Sequence, residues 1–217
     1  MSSLVFLSSS RPTEGLPWIM IATDTLCATL DSHPMGFTSK AIYLPQVRTA
    51  IAVTGDGAFG SVWALFVNSM IRPRGVSHLG ELATADLKRL WDERPNNSGR
   101  TTIYHFGFSE LDGSIVVDAF RSKEEFKRER LAADEVYFKP DIEQSLCGEG
   151  NAAEKFQEIM EAQRAEQEVV PAKDRVNIGG ECVVMEITPA GCYQYVAFQF
   201  SDFEDQRDQS ERMRDGI

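Results

Sequence analysis

The stretch PWIMIATDTLCATLDSHPMGFTSKAIYLP, residues 17–45, decides how the rest of the chain is read. Residues 18–23 form an almost unbroken apolar run, bounded by Pro17 on one side and Asp24-Thr25 on the other, which predicts a buried strand. A turn-rich segment follows, marked by His33-Pro34 and Gly36, and Lys40 then stands directly before a second apolar run, AIYL. Asp24 and Lys40 are 16 residues apart. Taken singly, an aspartate ending a strand reads as a turn residue and a lysine opening one as a solvated edge residue. Their meaning depends on the elements around them.

Working outward, SSLVFLSS and WIMIATD read as a first β-hairpin with a long connector, SRPTEGLP, punctuated by Pro and Gly. KAIYL and TAIAVTG read as a second hairpin turned at Pro45-Gln46, and residues 100–120 as a third turned at Asp112-Gly113, a strong local hairpin signal. ECVVMEITPAGCYQYVAFQF reads as a fourth, turned around Pro189-Ala190-Gly191. Between them, Phe59, Val62, Trp63, Phe66 and Met70 recur at helical spacing over 58–71. Leu79, Leu82, Ala83, Leu87, Leu90 and Trp91 do so over 77–93, with Ser77 as N-cap. A third helix spans 151–167, capped at Gly150 or Asn151, with Phe156, Ile159 and Met160 on one face. Two antiparallel sheets that cover each other's inner faces, with amphipathic helices on the outer faces, make an α+β, four-layer αββα sandwich the expected architecture. Residues 1–200 form the expected domain, 121–145 a charged insertion of a surface helix plus a short strand, and 201–217 a polar, solvated or frayed tail.

The composition narrows the function. A net charge of −11 argues against a surface that tracks nucleic acid or a basic membrane footprint. Four cysteines, Cys27, Cys147, Cys182 and Cys192, show no metal-ligand spacing and read as free thiols of a reducing compartment. No apolar stretch approaches the roughly 18–20 residues of a membrane span, and MSSLVFLSSS lacks the basic start of a signal peptide. A cytoplasmic location is therefore expected. TGDGAFG lacks the Lys-Ser/Thr of a P-loop and the spacing of a dinucleotide turn, so it reads as a strand-to-helix turn and no cofactor is expected. His33, His78 and His105 fall in separate elements and suggest no catalytic triad.

In this order of elements, IATDT, SKAIY and IAVTGDGAFGSVWALF resemble the proteasome-like branch of the N-terminal nucleophile hydrolases. The family ends its second strand in Asp, opens its third with Lys at this spacing, and places a glycine pair before its first helix. CGEGNAAEKF is similar to the family's Gly-Ser-Gly-Ser turn, and DRVNIGGECVV to its Asp-x-x-Ser-Gly-Gly turn into the last hairpin. The resemblance covers roughly residues 2–200. It implies a nucleophilic hydroxyl on the first residue, whose own α-amine, with a pKa of about 8, is the general base. Ser2 takes that role once Met1 is removed. Lys40 lowers the pKa of hydroxyl and amine, Asp24 keeps the lysine charged and oriented, and the backbone at Thr54-Gly55 supplies an oxyanion hole.

Two positions depart from the pattern. Glu149 stands where the family carries a hydroxyl, and Ile178 precedes Gly179-Gly180 where it carries a serine. The aspartate of that second turn falls at Asp174 or at Arg175. Glu149 and Asp174 are the candidate supporting residues. The resemblance thus implies a peptide or amide hydrolase that acts on peptide substrates and assembles into a ring or another homo-oligomer. The alternative is a catalytically silent subunit serving as an assembly or interaction module.

Overall fold

A computed structural model of the chain describes residues 3–12, 15–29, 31–69, 73–95, 99–142, 151–172 and 174–216. The two apolar runs that open the sequence form β1 (Leu4–Ser9) and β2 (Trp18–Asp24), antiparallel, with Leu4 opposite Thr23 and Ser9 opposite Trp18. After them come β3 (Leu26–Ala28) and β4 (Pro34–Phe37), then β5 (Ala41–Leu44) and β6 (Thr49–Thr54), joined by a 3-10 turn at Pro45–Val47. Helices α1 (Gly57–Ser69) and α2 (Val76–Asp92) precede β7 (Thr102–Phe108) and β8 (Ile115–Arg121). The chain continues through β9 (Arg128–Arg130), β10 (Val136–Lys139), α3 (Ala152–Glu168), β11 (Glu181–Thr188), β12 (Gly191–Gln199) and α4 (Phe203–Asp215).

These strands form a five-stranded sheet in the order β10-β1-β2-β11-β12, a second in the order β5-β6-β7-β8-β9, and a two-stranded sheet β3-β4. All the pairings are antiparallel. This corrects the expected four-layer αββα sandwich of two sheets. Among the described residues the chain is sheet-rich, with three sheets and twelve strands to four helices. The difference arises in segments that lack the alternation of a strong hairpin. Of the residues 121–145 expected to hold a surface helix, the described ones, 121–142, make a 3-10 turn at Ser122–Glu124 and then the edge strands β9 and β10. Glu125 and Phe126 both have positive φ, 52° and 55°, which no α-helix can accommodate, and Phe126 is carried into the core by that bend. The tail expected to be frayed forms α4, exposed along most of its length but with Gln206 and Ser210 buried.

The helix starts follow local chemistry. Asn151 accepts the Glu154 N–H at 3.0 Å while the Glu154 carboxylate accepts the Asn151 N–H at 3.0 Å, a reciprocal capping box. Helix α2 begins one residue before Ser77, with Gly75 as N-cap. Its first N–H groups, from Ser77 and His78, are satisfied from outside by the Glu110 carboxylate at 3.1 and 2.8 Å. Among the described residues no helix is long and apolar enough to cross a membrane.

One apolar cluster joins the two large sheets through Phe6, Ile19, Ile21, Phe106, Val117 and Met185. A second holds α1 and α2 on the β5–β9 sheet through Phe59, Trp63, Leu79, Leu87, Ile103 and Phe120. Each such fully buried side chain stabilises the fold by about 1.5–3 kcal/mol. A third cluster packs Phe156, Ile159 and Met160 of α3 with Val5, Ala22 and Val184. These packings fix the ends of β1, β2 and β6, where the candidate site lies.

Within the second cluster, Trp63 Nε1 donates to His105 Nε2 at 2.8 Å, and the two rings stack at 5.8 Å. His105 is fully buried and faces Asp118 across the β7–β8 ladder, so no surface histidine is involved. Burial holds its pKa down to about 3; Asp118 pulls it up and Arg128 pushes it down. Below pH 6.5 the unfolded chain takes a proton at this histidine that the folded chain refuses, so stability falls as the pH drops towards 3. Between pH 8 and pH 5 this one residue is expected to cost about 2 kcal/mol. His105→Gln keeps a hydrogen-bond acceptor near Trp63 and should remove that part of the slope in urea titrations at the two pH values. An unchanged slope would show that His105 is not held neutral.

Candidate active site

β2 ends with its last side chain, Asp24, turned inside the molecule and fully buried. A buried carboxylate needs hydrogen-bond partners on both oxygens or it is strongly destabilising. Asp24 has them. Its Oδ2 receives the Lys40 ammonium at 2.7 Å and the Gly179 N–H at 3.3 Å, and its Oδ1 receives the Ser3 N–H at 2.8 Å. Burial raises the Asp24 pKa, while the Lys40 charge and hydrogen bond and the Ser3 and Gly179 N–H groups act in the opposite direction. Lys40, 6% exposed at its side chain, also donates to the Leu26 carbonyl at 2.8 Å, so the ammonium is held from two sides. The structure therefore brings Asp24 and Lys40 into direct contact.

Ser3 is fixed as tightly as the ion pair. Its hydroxyl donates to Gln163 Oε1 at 2.5 Å, and Gln163 Nε2 donates to the Pro140 carbonyl at 2.6 Å. Ser3 and Gln163 are both fully buried. The Ser3 hydroxyl is thus committed to α3, and its N–H to Asp24. Ser2 and Glu149 lie outside the described residues. Ser2 is nevertheless bonded through its carbonyl to the very nitrogen that Asp24 holds.

The turn before β11 closes the other side. Thr25 and Leu26 donate their N–H groups to the Gly179 carbonyl at 3.3 and 3.2 Å, and the Thr25 hydroxyl oxygen accepts the Glu181 N–H at 2.8 Å. Gly180 has φ +76°, and a Cβ there would lie 2.4 Å from Thr25 Oγ1, so only glycine fits. Its N–H donates to Gln206 Oε1 of α4 at 2.8 Å. Gln206 in turn donates to Asp202, whose carboxylate receives Arg164 of α3 at 2.7 and 2.6 Å. Ile178 is buried in the α3 cluster, leaving no hydroxyl at that position. Asp174 is exposed and makes no hydrogen bond or ion pair with Asp24 or Lys40; it lines a separate cavity.

Lys40 and Gly55 line one cavity of about 520 Å³, with walls that include Leu26, Ile42, Ile51 and Val53. Among the described residues the Gly55 N–H has no hydrogen-bond acceptor. The β6–α1 turn that carries it is anchored at Thr101, whose hydroxyl donates to the Thr54 carbonyl at 3.0 Å and accepts the Asp56 N–H at 3.3 Å. The site thus combines a buried ammonium, an unpaired backbone donor and an apolar wall around one space large enough for a side chain and its peptide.

Sequence reasoning missed Ser3, Gln163, Gly179 and Gln206 as parts of this site. A signal existed for Gln163, a polar residue four positions beyond Ile159 on the apolar face of α3. The Ser3 and Gly179 contributions are backbone N–H groups, which no residue type advertises. No protein-family model matches this chain, and no curated protein matches it either.

Proposed function

We propose that this protein hydrolyses peptide or amide bonds with Ser2, exposed by removal of Met1, as an N-terminal nucleophile of the proteasome-like kind. The observation that carries this reading is the buried Asp24–Lys40 pair bound to the backbone nitrogen of Ser3, the residue joined directly to Ser2. The Ser2 hydroxyl oxygen attacks the substrate carbonyl and its proton passes to the Ser2 α-amine. The tetrahedral oxyanion forms beside the Gly55 N–H. Collapse expels the leaving amine, which takes that proton, and leaves an ester on Ser2. Water, deprotonated by the same amine, then releases the acid and restores the hydroxyl. The Lys40 charge favours the deprotonated amine and the developing oxyanion, and Asp24 holds the ammonium in place. The apolar walls of the cavity favour an apolar side chain next to the cleaved bond.

The reading extends to a cytoplasmic enzyme that self-assembles. Cys27, Cys182 and Cys192 are free thiols, and Tyr193, Tyr195 and Val196 stand exposed on the edge strand β12. A catalytically silent assembly subunit is the second reading, favoured by the buried Ile178 at a position where the resembled family carries a hydroxyl.

Intact mass and covalent labelling separate the two. The purified protein should lack Met1 and should gain one equivalent of a leucine-containing peptidyl epoxyketone, which bonds to both the hydroxyl and the α-amine. Ser2→Ala should abolish the adduct. Retained Met1, or labelling that survives Ser2→Ala, would sink the enzyme reading; Met1 loss without labelling favours the silent subunit.

A further inference from the structure

A second cavity, of about 460 Å³, lies on the far side of Gly55, at the ends of β6, β7, β8 and β10 and the end of α3. Among the described residues Gly55 is the one that lines both cavities. Their walls differ in kind. Where the charged lining residues of the first are Lys40 and Asp56, beside Leu26, Ile42, Ile51 and Val53, the second carries Arg100, Arg121, Lys123 and Lys139 against Glu124 and Asp174. This local excess of positive charge sits on a chain whose net charge is −11.

Two of the four cations are already neutralised. Arg121 is paired with Glu129 and lies 3.7 Å from Glu124, and Lys139 is paired with Asp141 at 2.9 Å. Arg100 and Lys123 have no carboxylate partner among the described residues. A guanidinium offers two parallel donors to one carboxylate, and an ammonium adds a compact charge beside it. Arg100 is also tied to the oxyanion turn itself: its carbonyl oxygen would lie 2.0 Å from a Cβ on residue 55. The Arg100 backbone is thus held against the turn that carries the Gly55 N–H, and its exposed side chain lines the second cavity.

We infer that the second cavity recognises a carboxylate of the bound peptide, through Arg100 and Lys123, while an apolar side chain occupies the first. The substrate class thereby narrows to peptides in which an apolar residue lies next to an acidic one or to a free C-terminus. This rests on the hydrolase reading for its biological sense, but the binding itself is independent of turnover.

The test uses the full-length Ser2→Ala chain and three tetrapeptides carrying an uncharged BODIPY fluorophore at the N-terminus: Glu-Leu-Leu-Glu amide, Gln-Leu-Leu-Gln amide and Gln-Leu-Leu-Gln free acid. Fluorescence anisotropy should give about tenfold tighter binding for a carboxylate peptide than for the uncharged amide. Preference for the Glu amide identifies an acidic side chain as the source, and preference for the free acid alone identifies the C-terminal carboxylate. Either preference should vanish in Arg100→Gln/Lys123→Gln, two substitutions at exposed side chains. Equal affinity for all three peptides, no binding up to about 1 mM, or a preference that persists in the double variant overturns the inference. Carboxylate preference without Ser2 labelling in the parent protein removes the hydrolase reading alone. Ser2 labelling without the preference removes this one alone.

Discussion

Lys40→Met is expected to abolish hydrolysis and to lower stability by about 3–5 kcal/mol, because it strands a carboxylate that is fully buried. Asp24 would keep the Ser3 and Gly179 N–H groups but lose the Lys40 charge that offsets its desolvation. Its pKa, raised by burial even with Lys40 present, should rise further. A carboxyl whose folded pKa is raised contributes stability below the unfolded value of 3.8, and that contribution is lost as the pH climbs through the folded value. The variant should therefore recover stability relative to the parent as the pH is lowered towards 4. Asp24→Asn/Lys40→Met removes both charges and should be more stable than Lys40→Met alone at neutral pH, while remaining inactive. Urea titrations at pH 7 and pH 4.5, with peptide turnover measured on the same samples, read all of this out. A Lys40→Met protein as stable as the parent at both pH values, or one that still turns over peptide, would be incompatible with the role assigned to the pair.

The Asp24–Lys40 contact was expected from the resemblance, because the two stand at the spacing of the resembled family; taken singly, each reads as a turn or solvated edge residue. The four hairpins were legible in the sequence itself. Turn chemistry at Pro45 and at Asp112-Gly113 separates runs long enough to show their pattern. The reading of two sheets failed where strands are short or charged. β3 and β4 contain three and four residues, one of them Pro and one Gly, and are held by contacts such as Thr38 N–H to the Thr25 carbonyl rather than by their own pattern. β9 reads Arg-Glu-Arg because an edge strand tolerates and even favours charge, and a charged run with helical spacing of opposite signs cannot be told from one. Helix α4 is largely polar, so nothing in its sequence announced that Gln206 reaches the Gly180 N–H. Tertiary partners made these segments ordered, and such partners are distant in the chain.

The second large effect concerns the turn between the two cavities. Gly55→Ala is expected to destabilise the protein by about 2–4 kcal/mol and to lower turnover more than any other single change outside Ser2, Lys40 and Asp24. Two independent obstacles act on the added methyl. Gly55 has φ +97°, outside the space open to an L side chain, and its Cβ would lie 2.0 Å from the Arg100 carbonyl oxygen and 2.8 Å from Thr101 Cα. Both obstacles are backbone, so no side-chain rotation relieves them. Relief requires the turn to swing away from Thr101, which breaks the bonds from Thr101 to the Thr54 carbonyl and from the Asp56 N–H. That swing redirects the Gly55 N–H, the donor assigned to the oxyanion, and it does so without touching Lys40. Gly57→Ala is the matched control. A Cβ there meets nothing within 4 Å, and alanine at the first residue of α1 should leave stability unchanged or raise it by about 0.5–1 kcal/mol. Both variants should bind the leucine-containing epoxyketone, but Gly55→Ala should react with it far more slowly. If the two alanine variants unfold at the same urea concentration and react at the same rate, the close approach of residue 100 to residue 55 is not what shapes this turn, and the oxyanion donor must be sought elsewhere.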